Sequence, residues 1–509
     1  MPFLLLILLS TLRGKFQILF PNAFYLLCPL FNVQMITKRG FQTLAFVACI
    51  FTWGFLHAKV VKVGSKGNFK TPAEAAVQVM DGDIVEIANE VFANDAAIWS
   101  ANNLVIKAVG GKATFKGAET HWQILGKNTK LENLVFTESQ TVAIEMTGSI
   151  LEIKNCTFKN NHVALFAKDN PANEIEIIYT EFNGNGSETD STGKCIAVEV
   201  VKTLTIQSSY FHLAKNCSYI ESKAQKNFVL YNRITDELGG KSRYLIDFLG
   251  GGNVFMIGNV LAQSPGALEN FAIEYGKETV NITANAMFII NNTFWAENKT
   301  NGFLEMNTSS FFNKVWNNLY VGDGKIIENM KADTSKNLQI KNVSLAGFTD
   351  ASKYDFQLKE NSPAVNRGRD PEESAGYPLM PKQQYMHFCD ALARKIFDKP
   401  DIGAYEFNED TQVFNQEEEE EELQFTIVHQ PDGKASTISF EIDKPKNVAI
   451  NIYDLNGNKL LQVCNESKEP GKHVVKANTE SLAEGMYVFH IKAGGFTQQK
   501  MEILRKPKK

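Results

Sequence analysis

LEIKNCTF at residues 151–158 and KTLTIQSSYF at 202–211 are two copies of one unit: a short alternating run, a polar residue, then a large apolar one. The closing phrase recurs as NLVF ending at Phe136, NCTF at Phe158, YTEF at Phe182, SSYF at Phe211, YNRI at Ile234, GNVL at Leu261, NNTF at Phe294, NNLY at Tyr320 and NVSL at Leu345. The eight intervals span 209 residues, and a fixed period of about 26 marks one supersecondary unit stacked many times. Strands dominate each unit and no helix intervenes, so the expected fold is all-β: a right-handed parallel β-helix, in which each coil contacts only its neighbours. The solenoid proper is expected over 118–345. At ~4.8 Å per coil, residues 59–407 would make roughly 13 coils. The terminal apolar residue of each phrase fills the interior, where its burial contributes ~2 kcal/mol. The recurrent Asn tolerates left-handed backbone and bonds nearby amides, so stacked copies can form a ladder. Several copies are also formal N-glycosylation acceptors, but their regular placement is better explained by turns.

The N-terminal residues read as processing signals. Residues 1–34 repeat a basic-plus-apolar pattern and look like an over-extended start. MITKRG from Met35 supplies a basic segment, FQTLAFVACIFTWGFL an apolar one, and cleavage after Ala58 completes a signal peptide over 35–58. A membrane anchor through 41–56 is the rival reading, although ~16 residues fall short of the ~20 that span a bilayer. Beyond Ala58 the chain carries 48 basic and 57 acidic residues, a formal charge of −9. No clustered basic face points to nucleic acid. Five cysteines remain there, at 156, 195, 217, 389 and 464. An odd, scattered set without CxxC is neither a disulfide framework nor a zinc site.

Thr71, Pro72 and Glu74 spell a helix start, with a hydroxyl cap, Pro at the first position and a Glu reaching back. The helix TPAEAAVQV suits the open end of a solenoid, whose bare strand edges would otherwise pair with other chains. DGDIVEIANEVF at 81–92 and NNLVIKAVGGKATFKG at 102–117 resemble the opening segment of pectin-lyase-like β-helix proteins. YDFQLKENSPAVNRGRD at 354–370 and DIGAYEF at 401–407 resemble the closing phrases of secreted right-handed β-helix proteins, with Asn366 where Asp is usual. The resemblance implies closing coils or a cap over 353–407. Residues 408–423 hold six consecutive glutamates, 417–422, a solvated linker that cannot bury a core. In VAINIYDLNGNKLLQV at 448–463, alternating strands flank Asn456-Gly457, the strongest short hairpin signal. A second hairpin is expected to turn at Gly494-Gly495. IYDLNGNKL at 452–460, LAEGMYVFHI at 482–491 and the Lys-rich end resemble the C-terminal sorting domain of the type IX secretion system. The resemblance implies a small immunoglobulin-like β-sandwich over 424–509 and export through the periplasm and across an outer membrane. VHQPDG replaces the usual opening of that domain, and an immunoglobulin-like stalk or carbohydrate-binding module is the alternative.

The densest polar stretch is YNRITDELGGKSRYLIDFLGGGN, residues 231–253. Elimination across a uronic acid needs a cation on the sugar carboxylate, a base for the adjacent proton and an acid for the leaving oxygen. Arg233 or Arg243 would pair the carboxylate, Lys241 would be the base and Tyr244 the acid. Asp236, Glu237 and Asp247 would bind substrate by orienting these cations, or hold Ca²⁺. The plain alternative is a solvated loop with local ion pairs worth ~0–1 kcal/mol each. His121, His162, His212 and His387 read as isolated turn or surface residues. Two function classes stay open: a polysaccharide-lyase-like enzyme, and a non-catalytic glycan-binding or surface protein. Exposed aromatic platforms among Trp122, Trp295 and Trp316 would favour the second. A monomer is expected.

Overall fold

The computed structural model describes residues 58–506, except 279–284, 298–301, 308–311, 330, 408–424, 431, 443–444, 455–458 and 494–495. The expected signal peptide up to residue 57, the expected linker and the tips of both C-terminal hairpins therefore lie outside the described residues. Residues 60–340 form a parallel β-helix of about 11 turns. Each turn contributes one strand to each of three sheets. Sheet 1 has twelve described strands, from Val60–Val63 to Asp333–Ser335. Sheet 2 has eleven, from Val91–Ala93 to Leu338–Ile340, and sheet 3 has ten, from Ala97–Trp99 to Lys325–Glu328. The first strand is Val60–Val63.

Register explains the repeated phrase. Its first residue takes a left-handed conformation at the corner from sheet 1 to sheet 2, as at Asn155 (φ 50°), Tyr231 (φ 54°) and Asn317 (φ 57°). Its second residue is the ladder. The amide N–H of Ser209 donates to Asn232 Oδ1 at 2.9 Å, and Asn232 N–H to Asn259 at 2.9 Å. The chain continues from Asn259 to Asn292, Asn292 to Asn318 and Asn318 to Asn337. Each ladder Asn also donates Nδ2 to a carbonyl of the preceding coil, Asn259 to Val229 at 2.7 Å for example. Its fourth residue points inward, where Phe115, Phe136, Phe158, Phe182 and Phe211 stack with centroids 4.6–5.3 Å apart. The last rung is KNLQ at 336–339, not NVSL: Lys336 takes the left-handed corner (φ 54°), Asn337 the ladder position and Gln339 the place of the aromatic. Val343–Leu345 is a short 3-10 turn, and Leu345 is exposed, because the chain has by then left the coil.

The N-terminal helix is shorter than expected, Pro72–Ala76. Thr71 Oγ1 accepts from Glu74 N–H at 3.3 Å, and Glu74 reaches back to Lys70 N–H at 2.8 Å.

Residues 345–407 add no rungs; they pack along the outside of the solenoid. Phe348, Phe356, Leu358, Ile402 and Tyr405 cluster with Val260, Leu319 and Val321 on the outer face of sheet 2. Tyr377 and Leu379 cover a second aromatic column on sheet 1, Phe228–Phe255–Phe288, spaced 4.8 Å. The DIGAYEF phrase is a buried clasp. Arg394, fully buried, pairs with Glu406 at 2.8 Å and donates to the carbonyls of Asp401, Gly403 and Ala404. Asp401 accepts the N–H of Asn366 and of Phe407, each at 2.6 Å. Gly403 has φ 102°, and a Cβ there would stand 2.6 Å from Thr293 Oγ1, so only glycine fits. Asn366 suits its own left-handed φ of 56°.

Residues 425–504 form seven antiparallel strands in a three-stranded and a four-stranded sheet around one core that includes Phe425, Ile438, Phe440, Val448, Ile450, Phe489 and Ile491. Lys446–Tyr453 pairs with Lys459–Lys468, and Gly485–Ala493 with Phe496–Leu504, as the two expected hairpins require.

The ladder makes a measurable demand. Asn259→Ala leaves the Asn232 N–H buried without its acceptor and removes the Nδ2 bonds to the Val229 carbonyl and Asn292, so chemical denaturation should register a loss of ~2–5 kcal/mol. A loss below ~1 kcal/mol would mean that the ladder is ornamental.

Candidate functional site

In-register parallel strands stack equivalent positions, so an outward residue on one rung lies beside its counterparts on the next. On sheet 3 this aligns Glu221, Asp247, Glu274, Glu305 and Glu328 on five successive rungs. Like charges facing one another across neighbouring strands repel, so the column must be neutralised. Lys194 Nζ sits 2.9 and 2.7 Å from the two oxygens of Glu221. Lys277 Nζ lies 3.4 Å from Glu274 Oε2, and Asn307 Nδ2 donates to Glu274 Oε1 at 2.7 Å. Lys325 pairs with Glu328 at 2.9 Å.

Asp247 has no lysine among the described residues. It is 6% exposed, and its Oδ1 has no hydrogen-bond partner there. Burial first, then Glu274 and Glu221 beside it, push its carboxyl up to about 8. Burial also raises Glu274, which Asp247 hydrogen-bonds. The two carboxyls thus hold one proton between them at neutral pH. Tyr244 is buried beside them, 5.8 Å from Lys277 Nζ to ring centre. Burial and the surrounding carboxylates raise its phenol, which stays protonated.

The corner that leads into this face is rigid, because Asp236 holds it. That side chain is wholly buried and accepts from Ser242 N–H at 3.2 Å, Ser242 Oγ at 2.7 Å, Tyr219 OH at 3.0 Å and Ser264 N–H at 3.3 Å. It is a structural pin with no oxygen left for substrate, which corrects the expected binding role. The pinned loop presents Lys241, exposed and without an ion pair or hydrogen bond to its ammonium among the described residues. Arg243 stands beside it, 40% exposed, with Glu269 at 2.6 Å.

Arg233 and Glu237 do not join this group. They lie on the outer side of sheet 2, where Arg233 Nη2 donates to Glu237 at 2.9 Å and the guanidinium packs 5.0 Å from the Tyr210 ring. Tyr210 OH donates to the same Glu237 oxygen. His212 stacks on Tyr210 at 4.1 Å and meets Glu181 at 3.1 Å. His387 closes over Tyr210 at 5.1 Å, and burial, then Arg233 and His212, lower it to about 3. His212 and His387 are therefore one cluster rather than isolated surface residues. His121 is also buried, with Nε2 3.1 Å from the Thr137 carbonyl. Arg233 is engaged by Glu237 and Tyr210 on sheet 2, and a β-turn at 237–240 lies between it and Lys241.

Glu221, Glu274, Glu305, Lys194 and Lys277 escaped the sequence reading. A signal existed: Ile220-Glu221, Ile246-Asp247, Ile273-Glu274, Leu304-Glu305 and Ile327-Glu328 repeat an aliphatic–acid pair once per coil.

The column does not fit calcium. No group of three or more His, Cys, Asp or Glu converges on one point among the described residues. The oxygens of Glu221 and Glu274, on either side of Asp247, are already met by ammonium and amide nitrogen.

Residues 431–505 match the family model of the secretion system C-terminal sorting domain. The domain marks a protein exported by the type IX system to the cell surface or beyond, and implies contact with that machinery. The fold is similar to the crystal structure of pectate lyase Pel9A, with a TM-score of 0.51 and 14% identity, covering 70% of this chain and 98% of that one. No curated protein matches the sequence.

The shared proton has a signed consequence. Because the folded Asp247 carboxyl titrates above its unfolded value of ~3.9, its stabilising contribution is complete below about pH 4 and is lost as pH rises through about 8. Asp247→Asn should therefore gain stability relative to the parent chain between roughly pH 5 and pH 9 in urea titrations; parallel pH curves would show that Asp247 is ionised like a surface carboxylate.

Proposed function

We propose that the protein acts on polysaccharide along the outward face of sheet 3, and that the reaction is a lyase-type β-elimination. The observation that carries this reading is the stack of Glu221, Asp247 and Glu274 on successive rungs, with Asp247 Oδ1 unpartnered and its carboxyl raised by burial and by the two glutamates, beside a corner that presents Lys241 and Arg243. The likeness to a pectate lyase fold and an export domain fit a polymer met outside the cell.

The chemistry follows from what each group can do. The proton next to a sugar carboxylate becomes removable when a cation neutralises that carboxylate. Arg243 offers a fork geometry and can exchange Glu269, in solvent, for the sugar. Lys241 takes the proton. The C–O bond to the leaving sugar breaks as the C=C bond forms, and Asp247 delivers its proton to the departing oxygen. Tyr244, sequence-assigned as the acid, is a second donor beside it; its raised phenol cannot serve as base. Asp236 positions the corner, and Arg233 and Glu237 take no part.

A non-catalytic glycan-binding protein is the competing class. Stacking platforms would favour it, yet Trp122 is wholly buried, Trp316 is buried against Lys314 and Arg369 at 4.0 and 4.3 Å, and Trp295 packs on Tyr354 and Phe356.

The test is a screen of the secreted chain on alginate, chondroitin and pectate, read by ultraviolet absorbance of the unsaturated product. Lys241→Ala and Asp247→Asn should each lower kcat by ~10²–10⁴ while the fold persists. New reducing ends without absorbance would point to hydrolysis, and retained affinity without any cleavage to the binding class; either result would overturn elimination.

A further inference from the structure

We infer that lysine ammoniums, Lys194 and Lys277, occupy the place of a divalent cation on this face, so that the polymer is met without calcium. The inference rests on the reading of sheet 3 as the polymer-facing surface, and deepens it by naming what the site does without.

A vertical row of carboxylates can be neutralised in three ways: by a metal ion, by basic side chains or by protons. The geometry here uses the last two. Calcium needs six to eight oxygens at 2.3–2.6 Å, drawn from carboxylates that converge. Here Glu221 and Glu274 each turn to partners of their own, and no three acids converge on one point among the described residues. Lys194 stands within hydrogen-bond distance of both Glu221 oxygens, the position a bidentately bound ion would take. Glu274 gives one oxygen to Lys277 and the other to the amide nitrogen of Asn307. Two N–H donors therefore point at the space an ion would need. Asp247, wedged between these two glutamates in the column, keeps an unpartnered oxygen and a neighbouring carboxyl to share its proton with. Deprotonating it for a metal would place three adjacent anions on successive rungs with two monovalent cations to balance them.

The arrangement also separates two cation duties. Lys194 and Lys277 are engaged by the protein's own carboxylates. The cation left for a substrate's charge is at the corner, Arg243, once it exchanges Glu269. A polymer bringing its own carboxylates would thus meet protein guanidinium rather than a bridging ion.

Thermal unfolding of the full chain, in EDTA and in millimolar CaCl₂, tests this with no need for turnover. The parent chain should unfold at the same temperature in both. Lys194→Met combined with Lys277→Met strips the column of its counter-ions and should acquire a calcium-dependent rise of several degrees, with stoichiometric calcium uptake by titration calorimetry. A calcium-dependent rise in the parent chain that Asp247→Asn or Glu274→Gln abolishes would overturn the inference. A rise that both of those variants retain places the ion elsewhere and leaves the column calcium-free, as inferred. If the double variant folds and stays blind to calcium, the lysines are not substituting for an ion and the inference falls. If it does not fold, the parent chain with Asp247→Asn and Glu274→Gln decides alone. Because the readout is stability, failure of the elimination reading on every substrate leaves this result standing, and the reverse also holds.

Discussion

The structure depends on the register with which one strand hydrogen-bonds to the strand a coil earlier. At ~4.8 Å per rung, equivalent residues have no freedom to avoid one another. Whatever is favourable at one rung is repeated, and so is whatever is costly. The interior turns this to advantage. Phe115 to Phe211 place ring on ring in a continuous apolar column, and each stacked pair adds ~0.5–1.5 kcal/mol beyond its buried area. Asn232 to Asn337 do the same with amides, satisfying N–H groups at the corner that the sheets cannot reach. On the outward side of sheet 3 the same register stacks acid on acid, and the repulsion has to be absorbed by Lys194, Lys277, Lys325 and a retained proton.

Which outer faces are covered by apolar side chains follows from the closing segment. Its apolar side chains cluster with the outer faces of sheets 1 and 2, and the Arg394–Glu406 clasp ties the end of that segment together around Asp401. Neither apolar cluster includes a residue of the sheet 3 column. The closing segment's apolar side chains thus lie on two sheets and not on the charged one, and Asp236 fixes the loop that carries Lys241 and Arg243 at the corner before it.

The parallel solenoid was legible because its signal is local and repeated: αL residue, Asn, spacer, aromatic. The register itself also lay in the sequence, in the Ile-acid pair that returns once per coil, but only as a relation between residues about 26 apart. Reading 231–253 as one site failed for a related reason. Arg233 lies on sheet 2, Asp236 and Ser242 at a buried corner, and Asp247 on sheet 3, so neighbours in sequence face different directions. His212 looked solitary because its partners, Glu181 and Glu237, come from the rungs on either side. The final phrase, NVSL, matched the motif but followed the true last rung at Asn337, a slip that periodicity alone cannot detect where a coil is shortened. The closing residues 353–407 were recognisable by phrase, yet their path along the outside depends on apolar patches assembled from four or more coils.

Register, by stacking Asp247 between Glu221 and Glu274, raises its carboxyl until it keeps a proton at neutral pH. Infrared difference spectroscopy between the parent chain and Asp247→Asn reads that proton directly, through the carbonyl stretch of an un-ionised carboxyl. The account predicts such a band at pH 7, absent from the variant and fading as pH is raised past about 8. A difference spectrum at pH 7 that shows only ionised carboxylate would contradict it.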